Sequence, residues 1–271
     1  MQDRHLNREK YFKEQGITTE KYVVPLIGEV KDITKDTSVL EIGCGEGGNL
    51  IPFYKIGCKR IVGIDMSKSK IANGNVFFNK IEGNRDNLEF ICDDIYNIKA
   101  EDIGQFDIII TRDVLEHIHG QEKFMNFVKR FMKPKGKFFL GFPPWYNPFG
   151  GHQQVCDSDL LSKTPYFHIL PRSIYKFILK VFGESDVKIE ALLEVKDTAI
   201  TIERFQKILK TEQYQIEKRI FYFINPNYEI KFGLKPRKAW KLISSIPFIR
   251  NFLITTNYYL ISTDETLQKK E

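Results

Sequence analysis

Residues Val39 to Leu50 read V-L-E-I-G-C-G-E-G-G-N-L, and few folds accommodate that order. A short apolar run, Ser38-Val39-Leu40, leads into Glu41-Ile42 and then into glycines at Gly43, Gly45 and Gly47. An apolar run that ends on alternating glycines is how a buried parallel strand passes to a helix through a tight loop. Glycine suits such a loop because it adopts positive φ and lets the backbone approach a ligand. The amides that open the next helix then point at whatever fills the loop.

Gly43, Gly45 and Gly48 also satisfy G-x-G-x-x-G, so the glycines alone do not choose a cofactor. Glu41, two residues before the first of them, narrows the choice. A carboxylate there accepts a hydrogen bond from an ammonium group and repels a pyrophosphate. Glu41-Ile42-Gly43-Cys44-Gly45-Glu46-Gly47 matches E-x-G-x-G-x-G at every fixed position. That is the first motif of the class I S-adenosylmethionine-dependent methyltransferases, and the chain resembles that family. The resemblance implies S-adenosylmethionine as cofactor and S-adenosylhomocysteine as product.

With 271 residues, 42% apolar and 28% charged, the chain has the balance of one globular domain, with or without an insertion. A net charge of +6 is modest, and no dedicated nucleic-acid binding is expected. The opening M-Q-D-R-H-L-N-R-E-K lacks the apolar core of a signal peptide, and no run approaches the length of a membrane span. Cys44, Cys58, Cys92 and Cys156 are scattered, which argues against a disulfide framework or a zinc knuckle. A reducing cytoplasm is the expected home.

Taken in order, residues 1–37 form a polar, helical N-terminal segment, expected to pack on the sheet edge or to close over the cofactor. Strand one is 38–42. The second strand ends at Ile64-Asp65, about where a doubly wound fold places the carboxylate that binds a ribose hydroxyl pair. Asp65 or Ser67 could equally cap the following helix. A third strand ends at Cys92-Asp93-Asp94-Ile95. The resemblance puts the adenine-binding acid here, Asp94 fitting best and Asp93 being the rival, with the Ile95 amide facing the ring. Met66 and Thr111 complete the expected cofactor set.

The fourth strand, Phe106 to Thr111, runs into Arg112-Asp113-Val114-Leu115-Glu116-His117-Ile118. This D-x-L-E-H-I pattern resembles methyltransferases of small or lipid-like acceptors, and the D/N-P-P-Y/F/W of DNA-base enzymes is absent. A fifth strand is 138–142. Beyond it, Pro143-Pro144-Trp145-Tyr146-Asn147-Pro148-Phe149-Gly150-Gly151-His152-Gln153-Gln154 is too rich in Pro, Gly and aromatics for helix or strand. Residues 143–197 are expected to form an inserted acceptor lid, with a helix near 172–182. A last core helix near 202–210 and two strands near 215–223 and 252–261 close the sheet. The basic amphipathic stretch 235–250 lies between these two strands, and membrane-surface contact or a solvated face with Trp240 packed inward would each suit it.

The fold expected is α/β: a doubly wound, mostly parallel seven-stranded sheet with an antiparallel last strand, in a single domain 1–271. The reaction implied is in-line methyl transfer to the oxygen or nitrogen of a small-molecule, sugar or lipid-like acceptor. Alignment carries most of it, worth on the order of 7–11 kcal/mol for well-oriented reactants. Of His117, His119, His152 and His168, the preferred bases are His152 and His117; Trp145, Tyr146 and Gln153 are expected around the acceptor. Asp113, His117 and His152 could meet a metal only by folding together, and no metal is expected. The alternatives are a nicotinamide-dependent oxidoreductase, a methyltransferase of RNA or protein, and a cofactor-binding protein without chemistry. Oligomeric state is left open.

Overall fold

In the computed structural model, which describes residues 7–83 and 85–263, one sheet organises the chain. Its strands are β1 (Ser38–Ile42), β2 (Arg60–Ile64), β3 (Leu88–Ile91), β4 (Phe106–Arg112), β5 (Met132–Phe142), β6 (Tyr214–Ile224), β7 (Arg237–Lys238) and β8 (Thr256–Thr263). They lie in the order β3-β2-β1-β4-β5-β8-β6-β7. The first five pair in parallel, while β8 is antiparallel to both of its neighbours, β5 and β6. The strand count expected was seven. The eighth is β7, two residues against the end of β6, too short to leave a periodic signal.

Side chains alternate across each strand, so β1 feeds two cores. Leu40 and Ile42 join Phe124 and Val128 of α4 (Gln121–Val128) and Phe205 and Ile208 of α7 (Ile202–Thr211) on one face. Val39 joins Phe12 of α1 (Arg8–Thr18), Phe53 of α2 (Ile51–Ile56) and Phe78 of α3 (Lys68–Phe78) on the other. A third cluster, including Cys156, Tyr175, Leu179 and Leu192, sits between β5 and α7. It is built by α5 (Arg172–Val181) and α6 (Asp186–Thr198), so this stretch has a core of its own.

Four expectations need correction. β5 starts at Met132 rather than at 138, because K-P-K-G-K is absorbed as a bulge between the Phe106–Met132 and Ile108–Lys137 pairs. β8 starts at Thr256 rather than at 252, since Arg250–Leu253 is a helical turn. Of the two placements left open for the N-terminal segment, the sheet edge is not the one adopted; the segment lies on the glycine loop, where a Cβ on Gly48 would meet the Phe12 carbonyl at 2.5 Å. Residues 1–6 of that segment fall outside the described residues. Finally, Trp240 is not packed inward; it is 79% exposed.

Candidate functional site

The loop after β1 has φ of 73° at Gly43, 58° at Gly45 and 80° at Gly47. Substitution is blocked sterically as well. A Cβ on Gly43 would lie 2.5 Å from Val114, and one on Gly47 2.6 Å from the Phe90 ring. Glu41 just ahead of the loop is fully buried. Its Oε1 accepts from Asn49 Nδ2 at 2.5 Å, while Oε2 has no partner. Burial pushes this carboxyl up to about 8, against the Asn49 bond and the nearby Arg112 charge, which both pull it down.

Asn49 is itself held. Thr19 donates its hydroxyl to Asn49 Oδ1 at 2.8 Å, and Arg112 Nη1 donates to Thr19 at 3.0 Å. Arg8 of α1 grips Glu46 with two hydrogen bonds, at 2.7 and 2.6 Å. The N-terminal segment therefore fixes the loop from outside. Thr19, Asn49 and Arg112 belong to no sequence motif and were missed.

Asp65 follows β2 beside the loop, its Oδ2 accepting from the Gly45 amide at 2.8 Å and its Oδ1 from the Ser67 amide at 2.9 Å. The cap of α3 is Ser67, which leaves Asp65 for the loop. Met66 next to it is 73% exposed. Asp94 accepts from the Tyr96 amide at 3.0 Å and opens the turn Ile95–Asn97, in which Ile95 is buried. The rival Asp93 already accepts from Asn97 Nδ2 at 2.8 Å. Thr111 is buried near the end of β4, its hydroxyl without a partner. All these groups sit at the carboxyl ends of adjacent parallel strands, where open α/β sheets bind ligands. The glycines that a Cβ would obstruct and the orphaned Glu41 oxygen suit a ligand that brings a close-lying backbone contact and an ammonium.

Past β4 lies a cavity of about 200 Å³, lined in part by Tyr11, Asp113, His152, Gln154, Asn227 and Tyr228. Tyr11 comes from α1, and Asn227 and Tyr228 from α8 (Asn227–Phe232), two elements with no motif to announce them. Asp113 and His152 have φ of 56° and 57°, a strained conformation for non-glycine residues that gathers at functional sites. The His117 and His152 rings meet edge to face, 5.0 Å apart. His152 is pushed down to about 3, chiefly by burial, with His117 and His168 adding to it. Glu116 is raised well above the usual carboxylate range, first by burial and then by Asp113.

Trp145 and Gln153 do not line this cavity. Trp145 is buried, its amide donating to Ile200 and its carbonyl 2.8 Å from His168 Nε2. Gln153 is buried against the Pro148 carbonyl and His168 Nδ1. Both anchor the loop through His168, which is thereby taken up structurally. Tyr146 stacks on Phe252, 5.2 Å away. His119 is exposed and faces Glu194 at 3.6 Å.

A family model described as a methyltransferase domain matches residues 33–164. The chain is 28% identical over 111 residues to the mitochondrial ubiquinone biosynthesis O-methyltransferase of Dictyostelium discoideum, covering 38% of this chain and 34% of that protein. It is 34% identical over 106 residues to the ubiquinone biosynthesis O-methyltransferase of Coxiella burnetii, covering 39% and 43%. The chain thus spans less than half the length of these curated relatives. Among solved structures, the magnesium protoporphyrin IX methyltransferase of Synechocystis PCC 6803, with S-adenosylhomocysteine bound, aligns with a TM-score of 0.54 at 15% identity. That match covers 92% of this chain and 84% of the other, a likeness of fold.

Proposed function

We propose that this chain is a class I S-adenosylmethionine-dependent methyltransferase, as the methyltransferase-domain match over residues 33–164 supports, that it binds S-adenosylmethionine over the glycine loop, and that it methylates a small-molecule acceptor in the cavity past β4. The observation that carries the reading is Glu41: a buried carboxyl with one orphaned oxygen, ahead of three glycines at positive φ, two of which leave no room for a Cβ. Glu41 would hold the ammonium of the cofactor and regain the charge that burial denies it. The amides around Gly43, Gly45 and Gly47 would cradle its carboxylate. Asp65 would accept from the ribose hydroxyls, Asp94 from the adenine amino group, and Met66 and Ile95 would cover the ring, with Thr111 near the reacting end.

The cofactor supplies a methyl on a sulfonium, whose leaving group needs no acid. The protein supplies alignment and a route for the acceptor's proton. His152, on the cavity wall, and His117 against it are the groups that would take that proton. As an imidazole pushed down to about 3, His152 is a weak base, so it suits acceptors whose proton is already labile. The relatives' names support acceptors of small-molecule size, and transfer to oxygen or nitrogen fits this site. A nicotinamide-dependent oxidoreductase is disfavoured by Glu41. The same reading has the protein in the cytoplasm, as its four free cysteines favour.

A second reading concerns where the acceptor is met. Trp240, Leu242 and Phe248 are exposed at 79%, 75% and 69%, among Lys235, Arg237, Lys238 and Lys241. The sequence has no acidic residue between Glu229 and Asp264. Such a surface suits contact with an anionic bilayer; among the described residues, no helix is long and apolar enough to cross one. Co-sedimentation with anionic but not neutral vesicles tests it.

The primary test is calorimetric titration with S-adenosylhomocysteine, with NAD in parallel. Micromolar binding of the first alone is expected. Binding of NAD alone would overturn the reading.

A further inference from the structure

Glu116 follows β4 by four residues, in a turn (Leu115–His117) that the rest of the protein holds tightly. Its carbonyl accepts from the Thr198 hydroxyl of α6, and Gln121 donates to the neighbouring Leu115 carbonyl at 3.1 Å. The Glu116 side chain is 4% exposed, yet neither carboxyl oxygen has a hydrogen-bond partner. What approaches it instead is the loop beyond β5, which brings His152 Nε2 to 3.7 Å from Glu116 Oε1. One ligand atom each from Glu116, His117 and His152 all lie within 4.8 Å of one another.

We propose that Glu116, His117 and His152 form a binding site for a first-row divalent transition metal, of which zinc is the reference ion. The donor set decides the class. Two imidazole nitrogens with one carboxylate oxygen suit zinc and its first-row neighbours, whereas calcium and magnesium take oxygen ligands. Ligand atoms about 2.1 Å from a tetrahedral ion stand about 3.4 Å apart. The 3.7 Å between Glu116 and His152 is within a few tenths of that.

Asp113, a further carboxylate, lines the neighbouring cavity. Thr198 and Gln121 fix the backbone of the turn that carries Glu116 and His117. The left-handed backbone of His152 is the strain that brings its ring into the cluster. His152 also lines the cavity, so an ion held here borders the acceptor's space. Three protein ligands leave a position for a water or an acceptor oxygen, and an oxygen bound there would lose its proton more readily.

The site is tested with the full chain, stripped by a chelator and titrated calorimetrically with zinc chloride, with elemental analysis of the dialysed product. One equivalent is expected to bind. Glu116→Gln and His152→Ala should each weaken binding by at least about 100-fold, while His119→Ala, at an exposed histidine, should bind as wild type. Wild type that takes up no zinc at about 100 μM, or Glu116→Gln that binds unchanged, overturns the proposal. Should the buried variant fail to fold, cobalt substitution of wild type decides. An intense visible band marks a four- or five-coordinate site with nitrogen ligands, and only the weak band of a six-coordinate ion overturns it. Titration with S-adenosylhomocysteine on the same preparation reports the cofactor separately, so loss of one reading leaves the other standing.

Discussion

Glu41 and Glu116 are both buried carboxyls at the carboxyl ends of β1 and β4, strands that lie side by side. The first has a partner eight residues on, Asn49, inside the same strand–loop–helix unit. The second has none, and His152, which comes within 3.7 Å of it, arrives from a loop beyond the next strand. One end of the crevice is thus built by a local motif and the other by convergence. The difference separates what a shared fold supplies from what a particular acceptor requires.

Glu41 gives the largest expected effect. A carboxyl whose folded pKa is raised binds its proton more tightly folded than unfolded. Its stability contribution is therefore greatest below the usual carboxylate range and is lost as pH rises towards about 8. Stability of the ligand-free protein should fall across pH 5 to 8 with a slope of up to about 1.4 kcal/mol per pH unit from this group. Urea melts at several pH values should show that slope removed in Glu41→Gln and flattened in wild type by saturating S-adenosylhomocysteine. An unchanged slope would mean that Glu41 is relieved by something other than a ligand.

Asp65→Ala should come next, weakening S-adenosylhomocysteine by about 100-fold by calorimetry, since two strong charge-assisted bonds to the ribose are lost. His152→Ala should separate the two ends most cleanly: affinity for S-adenosylhomocysteine unchanged, turnover on a true acceptor reduced by about 100-fold. A variant that lost both would show the ends to be one unit. Gly47→Ala should cost about 2 kcal/mol of stability in thermal melts, from positive φ and the Phe90 ring together. Phe252→Ala, at a half-exposed ring stacked on Tyr146, should cost about 1 kcal/mol and leave the cofactor end untouched.

The local character of the first end explains why it could be read from residues alone. β1, the glycines, Glu41 and Asp65 lie within one strand–loop–helix–strand run, and the hydrophobic period marks each boundary. Between Asp94 and Asp93 the residues alone give only a preference, because the bonds each makes, to the Tyr96 amide and to Asn97, are side-chain choices that sequence does not encode. At the other end the signals misled. Trp145 and Gln153 looked like contact residues because aromatics and amides in a loop often are, but here they are consumed in holding His168. Tyr11, Asn227 and Tyr228 reach the cavity from helices distant in sequence. Trp240 faces outward because an apolar stripe shows only that a face exists, and here no core lies beneath it.

β8, last in sequence among the described strands, is sixth from the β3 edge and third from the β7 edge: it sits inside the sheet, between β5 and β6. Until a ribosome has released residues 256–263, the nascent chain presents two open strand edges flanking an empty slot. Such edges pair readily with other chains. Synthesis of this protein therefore has a vulnerable interval that closes only with its final described strand, and a chain cut short before Thr256 would be expected to aggregate rather than merely lose activity.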